Sequence, residues 1–353
     1  MSGLGWATSR TRPVIVPSRE TGGRARWGVN GLGRTSTEVT VVGGGVIGMT
    51  TAVVLAESGH RVRVVTREPV GRTTSAVAGA LWEPYLAEPR QTVAEWAHRS
   101  YRVFAELAEE PGTGVRMAGG TKAHPRPGLP APWWATNHPG TVRPAAPDEL
   151  PAGYQSGWSA RLPLVDMPTY LDYLTRRLVR AGGEIGLGTV SSLAELDTPL
   201  LVNCTGLGAR ELVPDPMLRP VQGHLVVVAN TPRIDRWFVE AGGGEETTYI
   251  FPQPGAGVVL LGGTAFADQW DTDPNPKVAA RIVQRCARVI PALSDAPVLD
   301  HRVGLRPVRS QVRMEREIMP SGAMCVHSYG HGGCGVTVSW ACAADAADLL
   351  TTQ

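Results

Sequence analysis

VTVVGGGVIG, residues 39–48, is the stretch of sequence that decides the fold. Its β-branched start predicts a short buried strand, and the residues after it fit the pattern GxGxxG at Gly43, Gly45 and Gly48. In that pattern the first glycine permits a tight turn, the second lets backbone N–H groups approach a pyrophosphate, and the third lets helix and strand pack closely. The stretch therefore predicts a turn that binds the phosphates of a nucleotide.

The residues after the turn supply the other elements that such a site requires. Helical periodicity begins at Val46 and Ile47, and a helix N-terminus there offers partial positive charge to phosphate groups. Residues 61–66 (RVRVVT) predict a second strand, and Glu68, beside Arg67, stands about 20 residues after the turn, where an acid binds ribose hydroxyls. This order favours a nucleotide site over a plain glycine turn, but it does not separate FAD from NAD.

Composition limits the classes of function. The chain has 353 residues, of which 42% are hydrophobic and 19% are charged, as in ordinary soluble domains. A formal net charge of +2 gives no indication of nucleic-acid binding, and no apolar run approaches the roughly 20 residues of a membrane helix. The five cysteines form no CxxC pair and have no spacing typical of a metal site, so we expect reduced thiols, no metal and a cytoplasmic protein.

Three later segments favour FAD. Residues 73–86 (TTSAVAGALWEPYL) place small residues and an aromatic motif where a nicotinamide enzyme usually continues its β-α-β pattern. Residues 200–208 (LLVNCTGLG) predict a buried strand that ends in a Thr-Gly turn. Residues 328–337 (SYGHGGCGVT) predict a glycine-rich loop that opens a C-terminal helix, whose N-terminus can stabilise negative charge on a flavin.

With these motifs and residues 304–317 (GLRPVRSQVRMERE), the sequence resembles the D-amino acid oxidase family from about residue 39 to about residue 350. The resemblance implies non-covalent FAD and the oxidative deamination of D-amino acids. Among these, Glu83 in the aromatic motif favours neutral or basic side chains over acidic ones. The α-hydrogen would leave as hydride to flavin N5, and O2 would reoxidise the flavin. The products would be an imino acid, hydrolysed to a 2-oxo acid and ammonia, and hydrogen peroxide.

The resemblance also implies which residues contact FAD. They are Gly43, Gly45, Val46, Ile47, Gly48, Arg67, Glu68, Thr73, Thr74, Ala78, Gly79, Leu81, Thr205, Gly206, Gly332, Gly333, Gly335, Val336 and Thr337.

Three residues are expected to hold the substrate. Arg306 lies in an apolar setting, where a guanidinium needs an anionic partner, and the resemblance assigns it to the substrate α-carboxylate. The alternative is a structural ion pair with an acid of the protein. The resemblance assigns the hydroxyl of Tyr249 to the same carboxylate and the backbone carbonyl of Gly333 to the substrate amine. The alternatives are packing for Tyr249 and a plain helix-entry turn for Gly333.

The chain departs from the family pattern in its tyrosines. Glu245 and Ala265 stand where animal-type and yeast-type members carry a second active-site tyrosine, so Phe266 or a water is expected to compensate. Cys334 is interpreted as a packing thiol and His331 as a structural loop histidine.

Glu83 stands where the family commonly carries a neutral amide. Facing the cavity in its ionised form, Glu83 would repel a second substrate carboxylate and attract a cation. The alternative is that it points to solvent or pairs with an arginine.

The sequence predicts an α/β fold in which an FAD-binding Rossmann-like domain is interleaved with a mixed-sheet α+β substrate domain. The predicted segments are 1–36 for a disordered extension, 37–90 with 164–220 and 299–353 for the FAD domain, and 91–163 with 221–298 for the substrate domain. The expected partners are a small-molecule D-amino acid and O2, with no nucleic acid and no membrane, and a homodimer is one option for the assembly. Alternative functions are D-aspartate oxidase, another amine oxidase, a NAD-dependent dehydrogenase and a non-catalytic nucleotide-binding protein.

Overall fold

The computed structural model describes residues 37–138 and 140–351, so the extension predicted for residues 1–36 lies outside the described residues. Within them the strands β1–β14 have the bounds Glu38–Val42, Arg61–Thr66, Val115–His124, Val142–Pro144, Ser156–Val165, Glu184–Leu187, Leu200–Asn203, Arg219–Ala229, Trp237–Glu240, Tyr249–Gln253, Val258–Gly262, Phe266–Ala267, Val298–Ile318 and Met324–His331. The helices α1–α6 have the bounds Val46–Glu57, Arg90–Leu107, Met167–Arg180, Ala209–Leu212, Pro276–Val289 and Gly335–Thr351.

All these strands belong to one mixed sheet. Its order is β4-β5-β3-β9-β10-β11-β8-β13-β14-β7-β1-β2-β6, with β12 beside β8. From β14 to β6 every pair is parallel, and parallel neighbours need crossover connections such as α1 between β1 and β2. From β8 to β4 the pairs are antiparallel except β3 with β9. The antiparallel pair β8–β13 joins the two parts, and the predicted α/β class is confirmed.

The strand-turn-helix-strand unit predicted around residues 39–66 is present as β1, α1 and β2. Gly43 has φ +114°, and a Cβ at Gly48 would overlap the carbonyl oxygen of Gly43, so both positions require glycine. Every residue of α1 except Val54 and Glu57 is buried. The helix is apolar almost all round because it packs between the sheet, α3 and α6.

Among the contacts that cross the predicted domain boundaries are one between two helices and one between two strands. Helix α2, assigned to the substrate domain, packs on α6, assigned to the FAD domain. There Trp96 Nε1 donates to Asp345 Oδ2 at 2.6 Å, and Arg99 pairs with the same carboxylate at 2.6 Å. The second contact is the β8–β13 pairing, which continues the sheet from one predicted domain into the other. The domain division stays a prediction.

The antiparallel part of the sheet has its own helix. The sequence predicts a helix over residues 277–289, and α5 forms there, with Asn275 Oδ1 accepting a hydrogen bond from the Lys277 backbone N–H at 3.0 Å. Val278, Ile282 and Cys286 on one face of α5 are buried against the sheet. None of the helices in the described ranges is long and apolar enough to cross a membrane.

Candidate active site

A cavity of about 940 Å³ lies where the carboxyl ends of the parallel strands meet the antiparallel part. Of the residues predicted to bind cofactor or substrate, all but Gly43 and Gly48 line this cavity. Those two glycines lie in the packed base of the turn between β1 and α1. The folding of the chain therefore brings together residues from segments that are more than 200 positions apart.

The nucleotide-binding turn is held by side chains that sequence reasoning did not single out. Ser75 Oγ accepts a hydrogen bond from the backbone N–H of Val46 at 2.9 Å, which fixes the start of α1. Thr66 Oγ1 donates to the backbone carbonyl of Glu68 at 2.8 Å, and the Glu68 side chain stays 52% exposed at the cavity rim, 4.0 Å from Arg67. Glu68 therefore lies at the cavity rim, and its contact with ribose hydroxyls stays a prediction.

The Thr-Gly turn after β7 is positioned by a buried polar network. Asn203 Oδ1 accepts hydrogen bonds from the Thr205 backbone N–H at 3.2 Å and from Thr205 Oγ1 at 2.7 Å. The amide of Asn203 contacts His327 Nδ1 at 3.2 Å, and His327 Nε2 lies 3.0 Å from Glu317. Burial and the nearby charge of Arg313 lower the pKa of His327.

The glycine-rich loop before α6 packs directly on the chain at Tyr85 and Leu86. Gly332 has φ +55°, and a Cβ there would overlap the carbonyl oxygen of Leu86. The backbone N–H of Gly333 donates to the Tyr85 carbonyl at 3.1 Å, and a Cβ on Gly333 would overlap the Tyr85 ring. Close approach of these two segments thus requires both glycines, and it holds Gly333 at the cavity surface.

Two residues of this loop have the structural character expected of them. Burial lowers the pKa of His331 to about 4, so its imidazole is neutral at pH 7. Cys334 is buried, its Sγ donates to the His331 carbonyl at 3.3 Å, and burial raises the pKa of its thiol to about 12. A neutral, inaccessible thiol supports the interpretation of Cys334 as a packing residue.

Arg306 differs from three other arginines of β13 in its partners. Arg302, Arg309 and Arg313 each pair with a carboxylate, at 2.7, 2.9 and 2.5 Å respectively. Arg306 instead donates from Nη1 to the backbone carbonyl of Thr264 at 2.9 Å and lines the cavity. The predicted alternative of a structural ion pair finds no support among the contacts of the described residues.

Tyr249 lies on the same cavity wall as Arg306. Its ring stacks on Phe251, with centroids 4.6 Å apart, and covers Gly262 and Gly263, where any Cβ would meet the tyrosine ring. Burial raises the pKa of Tyr249 to about 12, against the opposing effect of the Arg306 charge. Its hydroxyl is therefore a neutral hydrogen-bond donor at physiological pH.

The aromatic residue that lies near Arg306 in the cavity is not the one expected from the sequence. Phe266 lies beside His224 and lines a separate cavity of about 340 Å³, so the expectation that it compensates is wrong. Tyr85 lines the main cavity instead, with its ring centroid 6.0 Å from the guanidinium of Arg306. The aromatic motif at residues 81–85 contains this tyrosine, but nothing in the sequence indicates its proximity to Arg306.

Glu83 faces the cavity as expected, but it is not alone there. It forms an ion pair with Lys122, whose ammonium lies 5.7 Å from the ring centroid of Trp158. The partner is a lysine rather than the arginine considered as an alternative. Lys122 lies outside the motifs that indicated the site, so no signal in the sequence selects it.

The profile of the family described as FAD dependent oxidoreductase (DAO) matches residues 38–349. The chain belongs to the FAD dependent oxidoreductase family. Curated relatives in this family include the D-amino-acid oxidase of Streptomyces coelicolor, 56% identical over 89% of this chain and 97% of that protein. The D-amino-acid oxidase of Rubrobacter xylanophilus is 46% identical over 90% of this chain and 97% of that protein.

Solved structures of this fold include the glycine oxidase of Bacillus cereus, with a TM-score of 0.75, 19% identity, and coverage of 89% of this chain and 97% of that chain. A glycine oxidase of Geobacillus kaustophilus has a TM-score of 0.74, 20% identity, and coverage of 89% and 95%. At these identities the likeness establishes the fold alone.

As a member of the FAD dependent oxidoreductase family, the chain is an FAD-dependent enzyme, and the NAD-dependent alternative is excluded. The cavity fits this cofactor. Gly44 and Gly45 line the cavity, and Gly44 packs closely on β2, since a Cβ there would lie 2.5 Å from Thr66 Oγ1. Ser328 Oγ and His331 Nε2 line the cavity as buried polar atoms without a hydrogen-bond partner in the described chain, as expected where a polar ligand edge completes the wall.

Proposed function

We propose that this chain catalyses the FAD-dependent oxidative deamination of D-amino acids, with a preference for neutral side chains. The observation that carries the proposal is the guanidinium of Arg306, which lines the cavity without a carboxylate partner among the described residues, while three other arginines of β13 each pair with one. The 56% identity to a D-amino-acid oxidase of nearly the same length supports the reaction class.

The carboxylate of the substrate would bind to Arg306 and Tyr249. A guanidinium offers two parallel N–H donors that match a carboxylate, and Arg306 is held in place by Thr264 and by the Tyr85 ring. The neutral hydroxyl of Tyr249 would donate a third hydrogen bond. These contacts fix one end of the substrate.

The amine of the substrate would be held by the backbone carbonyl of Gly333. The contact of Gly333 with Tyr85 keeps this loop rigid, so the carbonyl is preorganised. No proton transfer is assigned to His331 or Cys334, because burial disfavours the imidazolium of His331 and the thiolate of Cys334, as their shifted pKa values show. The chain therefore acts by orienting the substrate, without a side-chain base.

FAD, when bound, supplies the acceptor for the α-hydrogen and two electrons. The turn at Gly45, the rim acid Glu68, the Thr205–Gly206 turn and the start of α6 at Gly335 would hold it without a covalent link. We further propose that the parallel part of the sheet is the flavin half, that the antiparallel part is the substrate half, and that O2 is the second substrate, reduced to hydrogen peroxide.

The test is a peroxide assay on the purified yellow protein over a panel of paired D- and L-amino acids. We expect FAD to be released intact by acid, peroxide to form with D-amino acids, and D-aspartate to be a poor substrate. Colourless protein that does not bind added FAD, or activity confined to L-amino acids, would contradict the proposal. D-aspartate as the best substrate would replace it with a D-aspartate oxidase function.

A further inference from the structure

Glu83 and Lys122 form an ion pair on the wall of the cavity that also contains Arg306. Their side chains are only 15% and 22% exposed, so neither charge is fully hydrated. Two further contacts fix the pair. The backbone carbonyl of Glu83 accepts a hydrogen bond from Thr337 Oγ1 at 3.2 Å, and the Lys122 ammonium lies 5.7 Å from the Trp158 ring centroid.

The register of the sheet places this pair at a distance from the carboxylate site. Val239 is the strand partner of Lys122 on one side and of Tyr249 on the other. Directly paired residues point to the same face, and Lys122 and Tyr249 are therefore about 10 Å apart along it, twice the strand spacing. The ring of Tyr249 covers Gly262 and Gly263, on the side away from Lys122.

We propose that the Glu83–Lys122 pair faces the substrate side chain and determines the preference for neutral side chains. The inference rests on the proposed function, because a carboxylate held by Arg306 and Tyr249 leaves the rest of the substrate to extend along this wall. Since the two charges neutralise each other, the attraction of a substrate carboxylate to Lys122 is offset by its repulsion from Glu83, and the attraction of a substrate ammonium to Glu83 is offset by its repulsion from Lys122. Neither end of the pair is available to a new partner, and both kinds of charged side chain are disfavoured.

The presence of Lys122 beside Glu83 argues against the expectation that Glu83 attracts basic substrates. Glu83 would do so only without Lys122, and Lys122 would attract acidic substrates only without Glu83. Single substitutions should therefore shift specificity in opposite directions, and the double substitution should restore the preference of the wild type. We expect each shift to be roughly ten- to a hundredfold, the order of a screened unit-charge interaction over ~4–6 Å in a partly hydrated cavity.

The experiment compares kcat/KM for D-norvaline, D-glutamate and D-ornithine, which have the same chain length and differ in side-chain charge. In Glu83→Gln the ratio of D-glutamate to D-norvaline should rise. In Lys122→Met the ratio of D-ornithine to D-norvaline should rise. Glu83→Gln with Lys122→Met should return both ratios to wild-type values, and FAD content is measured for every variant.

A matched control is Glu57→Gln. It breaks the ion pair between Glu57 and Arg177, and neither of these residues lines the cavity. It should leave both ratios unchanged. Lys122→Gln is the second variant if Lys122→Met does not bind FAD, because its amide can still donate to Glu83. Shifts below threefold in the folded variants, or shifts in the same direction, overturn the inference.

A binding measurement separates this inference from the proposed function. Pentanoate, glutarate and 5-aminopentanoate share one carboxylate and differ at the far end, and their dissociation constants are measured from the thermal shift of the FAD-loaded protein. One outcome is that the ratios of these dissociation constants change as expected in the two single variants while no D-amino acid is oxidised. This outcome would contradict the proposed function and retain the inference. Oxidation of D-amino acids with unchanged ratios would retain the function and overturn the inference.

Discussion

Replacing Arg306 with alanine is expected to abolish most of the activity while leaving FAD bound. Arg306 is half-buried, and its only hydrogen bond in the described chain is to the Thr264 carbonyl, so its removal disturbs little of the fold. The substrate carboxylate, in contrast, would lose its cationic partner inside the cavity. Loss of one partner of a buried charge pair costs about 2–5 kcal/mol. At about 1.4 kcal/mol per tenfold, kcat/KM should fall by roughly 30-fold to several-thousand-fold.

The assay measures kcat/KM for D-norvaline together with FAD content and melting temperature. Arg306→Lys should be intermediate, since it keeps the charge but loses the two parallel donors. Arg302→Ala is the matched control, because Arg302 lies on the same strand, pairs with Asp300 at 2.7 Å and does not line the cavity. If Arg306→Ala keeps kcat/KM within a few-fold of the wild type and of the control, the carboxylate site lies elsewhere and the reasoning is refuted.

Three further predictions concern folding and reactivity. Gly48→Ala should lose FAD, because the new Cβ overlaps the Gly43 carbonyl. Gly71→Ala, whose new Cβ lies in open space, should keep FAD, and flavin absorbance measures the FAD content of both variants. The pKa of His331 lies at about 4 against the ordinary 6.5, so the unfolded chain takes up its proton first. The free energy of unfolding should therefore fall between pH 6.5 and 4, and an equally steep fall in His331→Gln would contradict this. Cys334, whose thiol pKa is about 12, should resist iodoacetamide until the protein is denatured, as mass spectrometry would show.

The local parts of the fold follow from the sequence. The strand and turn at residues 39–48 and the helix at 277–289 depend on neighbouring residues, and the structure has them close to the predicted bounds. The periodicity of α1 does not predict that almost all of the helix is buried, because this burial results from packing against α3 and α6. The same holds for the continuous sheet, which depends on pairing between distant strands.

The candidate site divides in the same way. Arg306 and Gly333 can be predicted because each lies in a recognisable motif, and Tyr249 is assigned by the resemblance to the family. All three line one cavity. Tyr85 lies within such a motif but contacts Arg306 only through folding. Lys122 lies in no motif and is 39 positions from Glu83, so only the pairing of β3 with its neighbours brings the two charges together.

The pairing of β8 with β13 limits how the protein can be divided into fragments. Backbone hydrogen bonds between these strands run from Val298 opposite Val228 to Val308 opposite Arg219. A fragment that encodes only one side would expose a long row of unpaired N–H and C=O groups, which is a template for aggregation. We therefore expect either side, produced as a separate piece, to aggregate.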